Sequence, residues 1–187
     1  MRNPETHEAV ISAAIEILRE QGPAAASIDA IARRAGASKP TLYRWWPTKA
    51  DLLVEVYEHL VAALPAPPDT GTVERDLIEV RRQMWRVWRE TVAGRAFVAL
   101  VAEAQVRPEA ATTLNERMLP SRRAGTLEIL QRGVERGEID SKADLQLLID
   151  ASHGFDWYRL LTGRIDDEPE VIAASVRTQL DGFLHTH

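Results

Sequence analysis

Apolar residues recur every three or four positions along most of this 187-residue chain, which places them on single faces of α-helices. The stripe of Val73, Leu77, Val80, Met84 and Trp88 is a clear example. Cap residues, prolines and glycines interrupt the pattern at the spacing of helix ends. No stretch sustains the apolar–polar alternation of a half-buried strand, and no Asn-Gly or Asp-Gly pair lies between β-branched runs. The sequence therefore predicts an all-α fold of about nine helices.

The Pro-rich segment PAPPDTGT, which follows Leu64, is the clearest linker in the chain. A new periodic pattern begins directly after it. We expect a three-helix, helix-turn-helix DNA-binding domain over residues 1–50 and a connecting helix over residues 51–64. Residues 65–187 are expected to form a C-terminal helical body that binds an effector and dimerises.

Composition and motifs argue against an enzyme. The chain has no cysteine, which excludes disulfides, thiol catalysis and thiolate metal sites. Its five histidines are scattered, and no Gly-rich phosphate loop or nucleophile elbow is present. Glu55 and His59 are spaced i, i+4 as in some metal sites, but such pairs usually lie in solvent. We expect no catalytic residues, no metal and no cofactor.

Charge and hydropathy bear on the partners. The N-terminus lacks the layout of a signal peptide, and no apolar run approaches the roughly 20 residues that span a bilayer, so we expect a cytoplasmic protein without membrane contact. Residues 1–50 hold seven Lys/Arg against five Asp/Glu, a net +2, which leaves −7 for the remainder of a chain with net charge −5. A mildly basic head can bind phosphates beside an acidic body, because exposed charges are screened beyond about 8–10 Å.

The stretch from Ser27 to Leu53, SIDAIARRAGASKPTLYRWWPTKADLL, is the most informative about function. Two short helices are joined by a turn at Gly36, where glycine can take a positive φ. Such a turn sets two helices at the steep angle of a helix-turn-helix. Ser27 and Ser38 each lie at a helix N-terminus, where a hydroxyl and free N–H groups can bind a DNA phosphate.

The second helix of this pair is the predicted recognition helix. Leu42 and Trp46, spaced i, i+4, are expected to face the core. The opposite side then presents a set of side chains suited to a major groove, namely Lys39, Pro40, Thr41, Tyr43, Arg44 and Trp45. Lys49, at the start of the next helix, is expected to bind a phosphate.

This segment resembles the DNA-binding head of the TetR (tetracycline repressor) family, with its pattern IA..AG.S...LY.....K..LL. The matching positions are Ile31-Ala32, Ala35-Gly36, Ser38, Leu42-Tyr43, Lys49 and Leu52-Leu53. The resemblance covers Asn3 to about Leu64. Beyond the linker it rests on the helix count and on the stretch GFDWYRLL (154–161), which resembles a dimer-forming helix of some members.

Carried over by position, the resemblance implies roles for individual residues. It implies phosphate contacts for Ser27, Ser38, Tyr43 and Lys49. It implies base or groove contacts for Lys39, Pro40, Thr41 and Arg44. Trp45 departs from the family pattern, since many members have histidine there, and an indole cannot bridge a phosphate as an imidazolium can.

The body offers candidates for an effector pocket and a dimer interface. An apolar pocket with one polar group is predicted from Met84, Trp85, Trp88, Phe97, Met118 and His153. Ordinary core packing is the alternative for each. The segment 141–161 is apolar on nearly all sides, so a partner subunit is expected to cover one face. The predicted interface comprises Leu148, Phe155, Ile172, Val176, Leu180 and Phe183, with burial inside one chain as the alternative.

The resemblance implies a homodimeric, sequence-specific transcriptional regulator. It would bind a palindromic double-stranded DNA operator as a repressor and be released by a small apolar effector. Two alternatives remain at this point. One is an all-α small-molecule binding protein or enzyme without DNA binding, which would lack salt-sensitive duplex binding. The other is a regulator that activates transcription or answers to a protein partner.

Overall fold

The computed structural model describes residues 3–166 and 169–181, and this part of the chain is helical without a β-strand. The prediction of an all-α fold is confirmed. The helices are α1 (Pro4–Gln21), α2 (Ile28–Arg34), α3 (Lys39–Trp45), α4 (Lys49–Val61), α5 (Val73–Glu90), α6 (Ala93–Val106), α7 (Pro108–Thr113), α8 (Leu119–Glu135), α9 (Leu145–Leu161) and α10 (Pro169–Leu180). A short 3₁₀ turn, Pro23–Ala25, follows α1.

Helices α7 and α8 belong to one continuous helical run, so the described residues contain nine separate helical segments. The sequence predicts that Pro120 kinks or splits this run. A π turn over Leu114–Met118 separates α7 from α8 and ends two residues before Pro120, with the Leu119 N–H bonded to the Leu114 carbonyl. Proline has no N–H to donate, and its ring clashes with the carbonyl four residues earlier. The wider π turn changes the bonding register just where the proline requires it.

The packing divides the chain into two compact units. Unit 1 comprises Met1–Ala63 and Glu90–Leu119, and unit 2 comprises Leu64–Arg89 and Pro120–His187. The chain first passes from unit 1 to unit 2 at Leu64, directly before the predicted linker. Residues 90–119, which the sequence assigned to the body, pack with the helix-turn-helix in unit 1. The functional division into residues 1–50, 51–64 and 65–187 stays a prediction.

Unit 1 is built on the apolar stripe of α1, which includes the fully buried Ile11 and Leu18. The Asn3 side chain caps α1 by accepting from the Glu5 N–H at 3.0 Å. Helix α6 packs along α4, where the Tyr57 and Phe97 rings lie 6.0 Å apart. The head and α6 therefore share one core.

Unit 2 has its own core, formed by apolar side chains of α5, α8, α9 and α10 and by Ile139 between α8 and α9. Its buried members are Val73, Leu77, Ile129, Leu130, Ile139, Leu148, Ile149, Val176 and Leu180. Gly133 is required in this core, because a Cβ there would collide with Val73 Cγ2. Helix α9 begins at Leu145 rather than at Ser141 as the capping pattern predicts. Its cap is Asp144, whose carboxylate accepts from Gln146 and Leu147 N–H, each at 3.0 Å.

No helix within the described ranges is both long enough and apolar enough to cross a membrane.

Candidate nucleic-acid interface

The turn between α2 and α3 has the tight geometry that the sequence predicts. Gly36 adopts a φ of 63° and donates to the Arg33 carbonyl at 3.4 Å. The next residue, Ala37, donates to the Ala32 carbonyl at 3.0 Å. This bonding pair is the Schellman motif, which ends a helix and reverses the chain within two residues. The turn therefore fixes the direction in which α3 leaves α2.

The predicted serine caps are present at both short helices. Ser27 Oγ accepts from the Ala30 N–H at 3.2 Å, and Ser38 Oγ accepts from the Thr41 N–H at 3.3 Å. The hydroxyls of Ser38 and Thr41 also bond at 2.9 Å. Because a hydroxyl both accepts and donates, the exposed Ser27 can cap its helix and still donate to a phosphate oxygen.

One face of α3 is exposed and carries most of the predicted contacts. Lys39, Pro40, Tyr43 and Arg44 are all exposed, and Tyr43 is 51% exposed, which is high for a large ring. Their spacing of three and four residues places them together on a helix, opposite the fully buried Leu42. Thr41 lies half-buried at the edge of this face. The arrangement presents a cation, a phenol and a guanidinium side by side.

Lys39 is paired within the head. Its Nζ lies 2.7 Å from Asp29 Oδ2, and both side chains are more than half exposed. An exposed pair of this kind contributes only about 0–1 kcal/mol. Lys39 can therefore exchange Asp29 for a DNA phosphate or base at little cost.

The prediction that Trp45 lies on the outer face is wrong, because the side chain is only 8% exposed. It packs edge-on against Trp46 with the ring centroids 5.7 Å apart. Helix α3 ends at Trp45, and Trp46 has an extended backbone with φ −129° and ψ 94°. The prediction that Leu42 and Trp46 face the core is confirmed, because they are 0% and 1% exposed and the Trp46 N–H donates to the Leu42 carbonyl at 2.7 Å. Leu42 and Trp45, spaced i, i+3, share the buried face, and Trp46 turns inward after the helix has ended.

A polar network beneath the end of α3 was not predicted. The Trp46 indole N–H donates to Glu55 Oε2 at 2.5 Å, and His7 Nε2 contacts the other oxygen of Glu55. The His7 ring stacks on Trp46 at 5.3 Å. This network ties α1 and α4 to the end of α3. Its one cue in the sequence is that a buried indole needs an acceptor.

Glu55 is thus engaged with His7 and Trp46 rather than forming a metal pair with His59. Within residues 3–166 and 169–181, no group of three or more histidine or acidic side chains is placed to hold a metal ion.

Lys49 lies at the start of α4 and is engaged in an ion pair. Its side chain is 23% exposed, and its Nζ lies 3.1 Å from Glu103 Oε2 on α6. The sequence spacing of Thr48 and Asp51 predicts a capping box, and both of its hydrogen bonds are present. Asp51 also contacts the Arg117 guanidinium. Two ion pairs therefore hold the first turn of α4 to the later part of unit 1, and neither was predicted.

The residues predicted to line one effector pocket fall in both units. Phe97 and Met118 are buried in unit 1. Trp85 and Trp88 are buried in unit 2, where Met84 and His153 are partly buried. The pocket stays a prediction, and four of its six proposed members belong to unit 2.

A buried polar network adjoins Trp85 in unit 2. The Trp85 indole N–H donates to Asp156 Oδ1 at 2.8 Å, and Arg81 Nε lies 2.8 Å from the same oxygen. The Arg81 guanidinium also donates to Ser152 Oγ at 2.8 Å, Ser175 Oγ at 2.6 Å and Gln179 Oε1 at 3.0 Å. Sequence reasoning missed it because its members come from three helices far apart in the chain.

Burial sets the proton affinities in this network. It raises the pKa of Asp156 to about 6, against the opposing effects of Arg81 and the Trp85 hydrogen bond. Burial, with Arg123 and Arg81, lowers the pKa of His153 to about 4, and Asp150 opposes this. His153 Nε2 lies 3.2 Å from Thr126 Oγ1. At neutral pH His153 is uncharged and the Arg81–Asp156 pair is ionised.

The predicted dimer residues require a correction. Leu148, Ile172, Val176 and Leu180 are at most 2% exposed, so a single chain already buries them. The Phe155 ring is stacked on Trp85 at 6.2 Å, and Phe183 lies outside the described residues. Helix α9 nevertheless has an exposed stripe on another face. Its members, spaced three or four apart, are Leu147, Ala151, Gly154, Tyr158 and Leu161.

Comparison with known proteins covers both parts of the chain. Residues 10–56 match the family model described as bacterial regulatory proteins, tetR family. Residues 67–178 match the model of the tetracyclin repressor-like C-terminal domain, which alone spans more than half of the chain.

Individual relatives agree. The chain is 31% identical to the HTH-type transcriptional regulator YdeS of Bacillus subtilis, over 86% of this chain and 80% of that protein. It is 29% identical to the DNA-binding transcriptional repressor TetR of Mycobacteroides abscessus, over 85% and 84%. The crystal structure of the TetR family transcription regulator SCO0332 is 34% identical with a TM-score of 0.76, over 97% of this chain and 100% of that chain. The chain belongs to the TetR family of bacterial DNA-binding transcriptional regulators.

Proposed function

We propose that this regulator is a repressor that binds a pseudo-palindromic operator as a homodimer, with α3 of each subunit in a major groove. The observation that carries the proposal is the exposed face of α3, which presents Lys39, Tyr43 and Arg44 from a helix held by a tight turn. A helix of this kind fits the major groove, where base edges are distinguishable. Bound at a promoter, such a dimer blocks transcription.

The contacts divide by chemistry. The Arg44 guanidinium can donate two hydrogen bonds to the O6 and N7 of a guanine, which gives sequence preference. Lys39, Pro40 and Thr41 lie at the N-terminal end of α3 and take the remaining groove contacts. The hydroxyls of Ser27, Ser38 and Tyr43, with the Lys49 ammonium, bind phosphates and fix the register. The buried Trp45 supports α3 from behind and takes no part in these contacts.

Arg44→Ala tests the assignment of base reading. We expect the change to weaken binding to a selected operator by about 1–3 kcal/mol, with little change for a random duplex, because a base contact acts on one sequence. Fluorescence anisotropy at fixed salt measures both affinities. Arg19→Ala removes the same charge from an exposed position on α1 and serves as the control. Equal losses for both variants on both duplexes would show that Arg44 supplies only charge.

We also propose that the exposed stripe of α9 forms the dimer interface. Leu147, Tyr158 and Leu161 are about half exposed, which is unusual for large apolar side chains on one face. The small residues Ala151 and Gly154 lie between them and permit close approach of a second helix. In a two-fold dimer the same stripe meets its own copy, so a single apolar surface is sufficient.

Release by a small apolar effector completes the proposal. Family membership supports it, and Trp85, Trp88, Met84 and His153 are the side chains of unit 2 that we propose to contact the molecule. The net charge of −7 outside residues 1–50 favours a neutral or cationic effector over an anionic one. The effector acts only by binding one conformation of the dimer more tightly than another.

A further inference from the structure

Lys49, the proposed phosphate-binding cation, is held by a carboxylate that also binds a second cation. Glu103 Oε2 lies 3.1 Å from Lys49 Nζ, and Glu103 Oε1 lies 2.7 Å from Arg107 Nε. The Glu103 side chain is only 15% exposed, whereas the Arg107 side chain is 60% exposed. The carboxylate therefore lies inside unit 1 between the two cations, and Arg107 reaches it from solvent.

We propose that Glu103 is an internal competitor of DNA phosphate for Lys49. The inference rests on the proposed function, because it requires Lys49 to bind a phosphate. A carboxylate oxygen and a phosphate oxygen make the same charge-assisted hydrogen bond to an ammonium group. In the DNA-free chain the Glu103 carboxylate is paired with Lys49, so DNA binding must replace this carboxylate with a phosphate.

The partial burial of the Lys49–Glu103 pair raises the free-energy cost of this exchange. A partly buried pair is screened by salt less than an exposed one. Lys49 and Glu103 are both less than a quarter exposed, whereas the Lys39–Asp29 pair of the same head is more than half exposed. Breaking the Lys39–Asp29 pair therefore costs little free energy, whereas breaking the Lys49–Glu103 pair costs more. DNA affinity is therefore more sensitive to Glu103 than to Asp29.

Arg107 makes the exchange possible. When Lys49 turns to a phosphate, Glu103 keeps its ion pair with Arg107, the residue that follows α6, and is not left as an unpaired buried charge. The conformation in which Lys49 binds DNA is therefore accessible. The strength of the Lys49–Glu103 pair determines by how much the affinity for DNA is lowered. Because a phosphate contact carries no sequence information, the affinity is lowered by the same factor for every duplex.

The test compares Glu103→Gln with variants that separate competition from simple charge repulsion. Fluorescence anisotropy of the full chain is measured with a selected operator and a random duplex at one salt concentration. Glu103→Gln is expected to tighten both by the same factor, about 3- to 10-fold, by releasing Lys49. Glu103→Asp keeps the charge but shortens its reach, and it is expected to tighten binding as well. Glu58→Gln, at an exposed position of α4, removes the same charge and is expected to change binding less than about twofold.

The double-mutant cycle with Lys49→Met completes the design. In that background Glu103→Gln is expected to have no effect, because no ammonium remains to be released. Thermal melts of each variant confirm that it is folded. Weaker binding of the Glu103 variants would show that the pair positions α4 for DNA, and a gain that persists without Lys49 would show charge repulsion. Either result overturns the inference about Glu103 but leaves the proposed function standing, provided that the parent chain binds duplex DNA. A parent chain that binds no duplex overturns both the inference and the proposed function.

Discussion

Replacing Asp156 with alanine is expected to lower the free energy of unfolding by about 3–5 kcal/mol, because it leaves a buried guanidinium without its counter-ion. Arg81 is 3% exposed and would keep only the neutral acceptors of Ser152, Ser175 and Gln179. The Trp85 indole would lose its acceptor as well. Urea denaturation followed by circular dichroism measures the change. A loss below about 1 kcal/mol would contradict this account of the network.

The pH dependence of stability separates the two titrating groups of this region. The pKa of Asp156 is raised to about 6, so its protonated form stabilises the fold below pH 4, and this contribution is lost as the pH rises through 6. The pKa of His153 is lowered to about 4, so its neutral form stabilises the fold above pH 6.5, and this contribution is lost as the pH falls through 4. Each effect is on the order of 3 kcal/mol, and between pH 4 and 6 they oppose each other.

Single substitutions reveal each effect. In Asp156→Asn the remaining histidine is expected to make stability rise with pH between 4 and 6.5. In His153→Gln the remaining carboxyl is expected to make stability fall with pH between 4 and 6. Urea midpoints taken at half-unit pH steps show both slopes. Parallel pH profiles for the parent and both variants would contradict the pKa assignments.

The second large effect is expected at the exposed stripe of α9. Ala151→Glu would place a carboxylate in the proposed dimer interface next to its copy from the partner subunit. Burying unpaired like charges there is expected to cost about 3 kcal/mol or more, which raises the dimer dissociation constant more than a hundredfold. Sedimentation velocity over a range of concentrations measures this constant.

The control places the same substitution at Ala102, an exposed residue of α6 in unit 1. Ala102→Glu is expected to leave the dimer intact. A parent chain that sediments as a monomer, or a dimer that Ala151→Glu leaves unchanged, would rule out the α9 interface. Loss of the dimer should also weaken operator binding, since two linked heads bind two half-sites far more tightly than one head binds one.

Local rules predicted the helix-turn-helix well. The caps at Ser27, Ser38 and Thr48 and the turn at Gly36 each depend on residues within four positions of one another. Such features need no knowledge of distant packing. The exposed face of α3 followed from the same short-range spacing, except for Trp45, which was expected on that face and is buried.

Long-range features were the ones that sequence reasoning could not predict. Glu103 lies 54 positions after Lys49, and Asp156 lies 71 positions after Trp85, and nothing in the spacing pairs them. Helix α9 was recognised as apolar on nearly all sides, but its periodicity did not show which face its own chain buries. That choice depends on where α5, α8 and α10 pack.

The central claim is that the exposed face of α3 reads operator DNA. Selecting bound duplexes from a random pool with the parent chain and with Arg44→Ala tests it most directly. We predict that the parent enriches an inverted repeat with two half-sites, and that Arg44→Ala loses the preference for one base pair in each half-site while the symmetry remains. Recovery of no enriched sequence, or of the same base preferences with both proteins, would contradict the assignment.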